Sequence, residues 1–219
     1  MATALIAGAS GLVGGQLLGL LLNAPEYDRV IAIGRRRLAM THGKLAQVTA
    51  EFGSLDRAAE ELRADEAFCC LGTTIRVAGS RQAFRAVDHG AVLAFAWAAQ
   101  RGGASRFFVV SSLGADAQSR IFYNRVKGET EEALRVLGFG TLAIFRPSLL
   151  RGPRRDFRLG EKIGLGGMSL VGPLLFGRWR KYRAIEAGSV ARAMLRCSFG
   201  RPGQGDLVFE SDEIADLGR

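Results

Sequence analysis

The chain has 219 residues, of which 48% are hydrophobic and 23% are charged, and its formal net charge is +9. These proportions are those of an average soluble protein, and they exclude an intrinsically disordered or collagen-like chain. A chain of this length is expected to form one domain whose core needs no disulfide or metal support. The three cysteines, of which Cys69 and Cys70 are adjacent, form neither a disulfide framework nor a CxxC metal motif, so we expect a reducing, cytoplasmic compartment.

The positive charge is concentrated between residues 151 and 183, where nine basic residues oppose two acidic ones. The segment lacks the interleaved aromatic residues of single-strand binders and the spacing of helix-turn-helix or zinc-finger proteins, which disfavours nucleic acid as a partner. We favour a solvated surface or one that faces an anionic substrate; contact with a membrane surface stays open, because basic residues flank the apolar run Gly164–Gly177. The basic residues are Arg151, Arg154, Arg155, Arg158, Lys162, Arg178, Arg180, Lys181 and Arg183.

The predicted elements alternate between short apolar runs and longer helical patterns. The strands are nearly continuous apolar runs, which indicates helices on both faces of a sheet. The alternation predicts an α/β chain with a doubly wound parallel sheet. In chain order the elements are a strand over Thr3–Ala7, a helix over Leu12–Leu22, strands over Arg29–Ile33 and Ala46–Glu51, a helix over Asp56–Leu62, a strand over Ala67–Cys70, a helix over Ser80–Arg101, a strand over Arg106–Ser111, a helix over Phe122–Leu137 and a strand over Thr141–Arg146.

The pattern changes after Pro147. Residues 151–183 are rich in Gly, Arg and Leu, and regular patterns return with a helix near Ser189–Arg196 and a strand near Asp206–Glu210. We interpret residues 151–183 as a small C-terminal cap over the ends of the strands, on the substrate side of a single domain that spans residues 1–219.

A glycine-rich turn directly follows the first predicted strand. Glycine there allows a tight turn out of the strand, a close backbone approach to a pyrophosphate and close packing of helix on sheet. The N-terminus of the following helix offers free N–H groups and a positive dipole end to phosphate. The sequence therefore predicts a dinucleotide site whose contacts are Gly8, Ser10, Gly11, Leu12, Val13 and Gly14.

The residues after the second strand indicate which dinucleotide is preferred. An NAD site normally has an acidic residue about 20 residues after the glycine turn, on the ribose 2′-hydroxyl. This chain has Arg35, Arg36 and Arg37 there, and the next acid is Glu51. Guanidinium groups bind a 2′-phosphate with paired hydrogen bonds, so we predict NADP as the cofactor, held by Arg35 and Arg36.

Tyr123 and Lys127 are spaced i and i+4, which places them on one face of a predicted helix. An ammonium group beside a phenol stabilises the phenolate, and this lets a phenol exchange a proton near neutral pH. Ser111 and Ser112 lie at the end of the fifth predicted strand, at the carboxyl edge of the sheet where ligands of open α/β folds bind. Either hydroxyl can hydrogen-bond a substrate carbonyl, and the residues themselves do not decide between them.

The glycine turn, Arg35, Ser112 and the Tyr123–Lys127 pair resemble the short-chain dehydrogenase/reductase family. Further segments resemble more narrowly its atypical branch that includes the Tat-interacting oxidoreductase-like proteins, and the similarity covers nearly the whole chain. In many members of this family an Asp followed by an apolar residue contacts the adenine of the cofactor. This chain has Glu51-Phe52 in their place. The segments of narrower resemblance are Phe68–Thr74, Val110–Asp116, Phe145–Ser148 and Ile214–Gly218.

This resemblance implies a seven-stranded Rossmann fold that binds NADP(H). It implies that Tyr123 is the proton donor or acceptor, that Lys127 contacts the nicotinamide ribose and that Ser112 orients the carbonyl. It also implies cofactor contacts by residues after the fourth and sixth strands. These residues are Leu71, Gly72, Thr73 and Pro147.

Other candidate residues point to structure rather than chemistry. The two histidines and the scattered acids form no metal cluster, so we expect no metal ion. Cys69 and Cys70 are expected to be inert core thiols. Phe84, Phe95 and Trp97 on the long helix are predicted to lie in the core.

Two functions fit these features. The first is an NADP(H)-dependent oxidoreductase that transfers hydride to or from a carbonyl or alcohol carbon of a small molecule. The alternative is an NADPH-binding sensor or interaction module without significant catalysis. The Tyr123–Lys127 pair favours the first, because a pure sensor needs no proton donor.

Overall fold

Seven parallel strands form the central sheet of the computed structural model, which describes residues 1–53, 55, 61–152, 177–200 and 205–219. The strand order is β3-β2-β1-β4-β5-β6-β9, and β7 and β8 pair separately. The strands are β1 (Ala2–Ala7), β2 (Tyr27–Gly34), β3 (Leu45–Thr49), β4 (Glu66–Cys69), β5 (Arg106–Val110), β6 (Thr141–Arg146), β7 (Leu150–Arg151), β8 (Ile185–Glu186) and β9 (Gly205–Glu210).

Helices cover both faces of this sheet, which confirms the doubly wound α/β prediction. A π-helical turn over Ala86–Ala91 joins α3 to α4, and a 3₁₀ helix spans Gly177–Tyr182. The α-helices are α1 (Leu12–Asn23), α2 (Ile75–Ala78), α3 (Arg81–Arg85), α4 (Val92–Arg101), α5 (Phe122–Val136), α6 (Ala187–Phe199) and α7 (Ser211–Leu217).

The side chains of each central strand alternate between two cores. Ile6 and Phe108 face α1 and α6, whereas Leu5 and Phe107 face α4 and α5. Successive strand residues point to opposite faces, so a strand covered on both sides must be apolar throughout. This is why the strands were recognisable as continuous apolar runs.

The described helices differ from the sequence expectations in three places. The helix predicted over Ser80–Arg101 is interrupted by the π-helical turn, and the short helices α2 and α7 were not predicted. Helix α7 did carry a local signal, because Glu210 and Glu213 form a capping box at its start. Trp97 was wrongly placed in the core: it is 54% exposed, since α4 buries only the face that carries Phe95.

Two predicted regions fall largely outside the described residues. Most of the helix predicted over Asp56–Leu62 lies there. So does most of the cap, including Arg154, Arg155, Arg158 and Lys162, and the side chain of Arg178 is not described either.

A buried polar cluster joins strands β2, β4 and β5 at their amino ends. The Tyr27 hydroxyl donates to the Glu66 carboxylate, which also pairs with Arg106. The Arg106 guanidinium donates to the backbone oxygens of Ser198 at 2.7 Å and Cys197 at 3.2 Å, which ties α6 to the sheet. Burial raises the pKa of Glu66 above its ordinary value, although its hydrogen bonds to Tyr27 and Arg106 act in the opposite direction. The cluster holds the amino ends of these strands together, at the end of the sheet opposite the glycine turn.

Gly128 sets how closely α5 approaches the segment that follows β5. A Cβ at Gly128 would lie 2.1 Å from the backbone N of Ala117. We expect Gly128→Ala to lower the free energy of unfolding by roughly 2 kcal/mol, because backbone must move to admit the methyl group. Urea unfolding followed by circular dichroism measures this.

The matched control is Gly19→Ala in α1, where no described atom lies within 4 Å of an added Cβ. There alanine should stabilise the helix by about 0.5–1 kcal/mol. Equal effects of the two substitutions would contradict the packing role of Gly128.

Candidate functional site

The glycine turn after β1 sits against the end of β4. Gly8 has φ +82°, and a Cβ there would lie 2.4 Å from the Cys70 carbonyl oxygen. A Cβ at Gly14 would lie 2.2 Å from the Gly8 carbonyl oxygen. Both positions therefore require glycine, and the first turn of α1 is held directly on the turn that precedes it.

The start of α1 is open to an anion. Its N-cap residue is Gly11, no side chain of the described residues caps it, and its first turn contains no acid. The N–H groups of a helix start are without partners inside the helix, so they can bind phosphate oxygens.

A cleft of about 940 Å³ opens at this edge of the sheet. It lies where the strand order reverses between β1 and β4, the position at which open α/β sheets bind ligands. Its volume suits a dinucleotide-sized ligand. The predicted cofactor contacts that line it are Gly8, Ser10, Gly11, Arg35, Arg36, Leu71, Gly72 and Thr73.

The other predicted cofactor contacts lie around the cleft rather than along its wall. Leu12, Val13 and Gly14 form the first turn of α1, and the Val13 side chain is buried in the core. The Val13 side chain is therefore closed to a ligand, and cofactor contact by these three residues stays a prediction. The Pro147 carbonyl accepts a hydrogen bond from Leu113 N at 2.9 Å, which places Pro147 beside the segment that follows β5.

One wall of the cleft was missed by sequence reasoning. It is apolar and comes from α2, which was not predicted, and from α3 and the π-helical turn, which lie within the single helix predicted over Ser80–Arg101. No local motif marked these residues, because they are small or branched apolar side chains of the kind that also fill cores. They are Val77, Ala78, Ala83, Ala86, Val87 and Ala91. Glu51 and Phe52 also line the cleft, at the position considered for the adenine.

Lys127 and Tyr123 both lie on α5, and Lys127 is only 5% exposed. The Lys127 ammonium lies 2.7 Å from an oxygen of Asp88, which is fully buried. Burial by itself lowers the pKa of a lysine, but the Asp88 carboxylate, helped by Tyr123, outweighs it and raises the pKa of Lys127. The half-buried Tyr123 ring packs on Phe84, with the ring centroids 5.2 Å apart.

The two serines after β5 have different surroundings. Ser111 Oγ donates to Glu131 at 2.5 Å, and Glu131 is also paired with Arg146 at 2.6 Å. Ser112 Oγ is buried and has no hydrogen-bond partner among the described residues. Ser111 is thus already hydrogen-bonded to a carboxylate, whereas the Ser112 hydroxyl has no described partner.

The described part of the cap carries ion pairs. Arg180 lies 2.8 Å from Asp216, and Lys181 lies 3.9 Å from Glu210. These acids offset part of the positive charge that the sequence concentrates between residues 151 and 183.

Comparisons with known proteins place this chain in a family. A scan against protein-family models finds no match. Protein HTATIP2 of Rattus norvegicus is 36% identical over 219 residues, covering 98% of this chain and 88% of the relative. The chain belongs to the HTATIP2/FMP52 family. The mitochondrial protein fmp52 of Emericella nidulans is 30% identical over 210 residues, covering 91% of this chain and 90% of the relative.

Solved structures share the fold of this HTATIP2/FMP52 family member. A short-chain dehydrogenase/reductase from Burkholderia thailandensis is 21% identical with a TM-score of 0.70, and the match covers 97% of this chain and 92% of that one. MoeE5, solved with UDP-glucose and NAD, is 16% identical with a TM-score of 0.69, and the match covers 99% and 80%. These similarities confirm the Rossmann fold.

The prediction of a cytoplasmic location is wrong in the light of these relatives, because several FMP52 proteins are named mitochondrial. That prediction relied on cysteine usage. The three thiols are free, but free thiols fit any reducing compartment and do not single out the cytoplasm. Among the described residues, no helix is both long and apolar enough to cross a membrane.

The different partners of the two serines predict different effects on stability. Ser111→Ala should lower the free energy of unfolding by about 2 kcal/mol, because it removes a hydrogen bond to a buried carboxylate. Ser112→Ala should change it by less than about 0.5 kcal/mol, because the wild-type hydroxyl has no described partner to lose. Urea unfolding of both variants checks this, and the reverse order would contradict the assignment of the two hydroxyls.

Proposed function

We propose that the protein is an NADP(H)-dependent oxidoreductase that interconverts a carbonyl and an alcohol group of a small-molecule substrate. The observation that carries this proposal is the buried Lys127 ammonium, held on the same helix as Tyr123 at the carboxyl edge of a sheet whose glycine turn fits a dinucleotide. The unpartnered Ser112 hydroxyl supports it, because such a hydroxyl is available to a substrate oxygen.

The chemistry divides between the cofactor and the chain's own residues. The bound nicotinamide dinucleotide supplies or accepts the hydride. In the reducing direction the Tyr123 hydroxyl donates a proton to the substrate oxygen, and Ser112 Oγ donates a hydrogen bond that orients the carbonyl. The Lys127 ammonium stabilises the phenolate that Tyr123 becomes, and in the oxidising direction that phenolate takes the proton from the alcohol.

The proposed preference for NADP rests on two arginines at the mouth of the cleft. Arg35 and Arg36 are exposed there, directly after β2, where they can bind a 2′-phosphate. A carboxylate at this position would favour the ribose hydroxyl instead.

Fluorescence titration of the purified protein with NADPH and NADH tests the cofactor. We expect NADPH to bind at least about tenfold more tightly, and Arg35→Glu to remove most of that difference because it replaces attraction of the 2′-phosphate by repulsion. Arg29→Glu is the matched control: it makes the same charge change near the amino end of β2, away from the cleft that Arg35 lines. Equal binding of both nucleotides by the wild type would overturn the NADP proposal.

A panel of carbonyl substrates with NADPH tests the reaction. Tyr123→Phe should lower kcat at least about a hundredfold, because the proton donor is lost, while NADPH affinity stays within about twofold. Tyr182→Phe removes the same hydroxyl from an exposed tyrosine and is the matched control: an equal loss of turnover there would show that the effect is not specific to Tyr123. Turnover that survives in Tyr123→Phe would contradict the assigned proton donor. If no carbonyl is reduced while NADPH still binds tightly, the nucleotide-sensing alternative gains support.

A further inference from the structure

Asp88 is a carboxylate in an unusual place. It lies in the π-helical turn over Ala86–Ala91, next to His89, and it is fully buried. A buried carboxylate is costly unless it is paired and hydrogen-bonded. The π-helical turn is itself a departure from regular helix that occurs frequently at functional sites.

The contacts of Asp88 reach two separate parts of the site. One carboxylate oxygen lies 2.7 Å from the Lys127 ammonium on α5. The other accepts a hydrogen bond from Thr73 N at 2.8 Å, in the segment after β4 that lines the nucleotide cleft. The Asp88 backbone oxygen accepts a third bond, from the Thr130 hydroxyl at 3.1 Å, which fixes the turn to α5. One residue thus joins the proposed proton-transfer helix to the proposed nucleotide loop.

The other titratable groups around Lys127 do not replace Asp88 as its counter-charge. Cys69 lies nearby on β4, but burial raises its thiol pKa to about 12, so the thiol is neutral at physiological pH. Tyr123, on the same helix, has no carboxylate that could pair with the ammonium. Glu131 follows one turn later on α5 and is bound to Ser111 and Arg146. Among the described residues, Asp88 alone carries a carboxylate within ion-pair distance of Lys127.

We propose that Asp88 is a positioning residue of the site: it keeps the buried Lys127 side chain charged and in place, so that Lys127 can act on Tyr123. Asp88 does not touch the substrate and works through Lys127. This inference rests on the proposed function, because it deepens the role given there to the Tyr123–Lys127 pair. Without a counter-charge, burial would favour the neutral amine, and the field that stabilises the phenolate would be lost.

An alkaline titration of the nucleotide-free protein tests the effect of Asp88 on Tyr123 without any substrate. The ultraviolet absorbance of tyrosinate reports how far the tyrosines have ionised. The chain has three tyrosines. Burial, reinforced by Glu66, raises the pKa of Tyr27 far above its ordinary value, so Tyr27 stays silent. Tyr182→Phe removes the exposed tyrosine, and in that background the remaining signal comes from Tyr123.

Lys127→Met in this background should move the titration midpoint upward by about 1 pH unit, because the neighbouring positive charge is gone. Asp88→Asn should produce a similar upward shift, because Lys127 then loses its proton before the phenol ionises. The double variant Asp88→Asn with Lys127→Met should shift no further than Lys127→Met alone. Asparagine keeps the size of Asp88 and an acceptor for Thr73 N, and far-UV circular dichroism checks that each variant is folded. Asp88→Ser, which is smaller and also keeps an acceptor, is read in the same way if the asparagine variant does not fold.

The outcomes separate the failure of this inference from the failure of the proposed function. If Lys127→Met shifts the midpoint upward and Asp88→Asn leaves it unchanged or lowers it, Asp88 is a structural residue and the inference is overturned. If Lys127→Met does not move the midpoint, the Tyr123–Lys127 coupling of the proposed function fails, and the role of Asp88 fails with it. The inference is supported if the two single variants shift the midpoint upward by similar amounts and the double variant shifts it no further.

Discussion

The close approach of the glycine turn to the end of β4 is the constraint on which the rest of the site depends. With no side chain at Gly8, the turn reaches the Cys70 carbonyl, where a Cβ would come within 2.4 Å. This contact lies where the strand order reverses, so it sets the width of the crevice between the two halves of the sheet. Because Gly14 packs on the same turn, the open start of α1 is held against the crevice, with its N–H groups at the cleft.

Buried ion pairs lie at both ends of the parallel strands, at their amino edge and at their carboxyl edge. The two pairs contact different parts of the molecule. At the amino edge, Glu66 and Arg106 join strands β2, β4 and β5 to α6, away from any cleft. At the carboxyl edge, the Asp88–Lys127 pair connects the nucleotide loop to α5. Ion pairs removed from water must be geometrically well satisfied to be tolerated. The amino-edge cluster meets that condition with contacts inside the fold, whereas the carboxyl-edge pair adjoins groups that a ligand can reach.

Much of the fold could be predicted from the sequence, and the reason is local. The strand over Thr141–Arg146 is found with the predicted ends, because its inner residues, Leu142 to Phe145, are all apolar and it lies between Gly140 and Pro147. The π-helical turn could not be predicted, since its residues keep a helical pattern and the change lies in the hydrogen bonds alone. Trp97 was misplaced for a related reason: periodicity shows that a helix has a buried face, but the interrupted register decides which residues occupy it.

The doubly wound fold, the glycine turn, the arginines after β2 and the Tyr123–Lys127 spacing could all be predicted before the structure was known. All of these are carried by residues close together in the chain, whose backbone preferences and periodicity act locally. Two features could not be predicted: the hydrogen bond of Ser111 to Glu131, which Ser112 lacks, and the ion pair of Asp88 with Lys127. Those contacts join residues far apart in the sequence, and they depend on how the π-helical turn, α5 and the strand ends pack against one another.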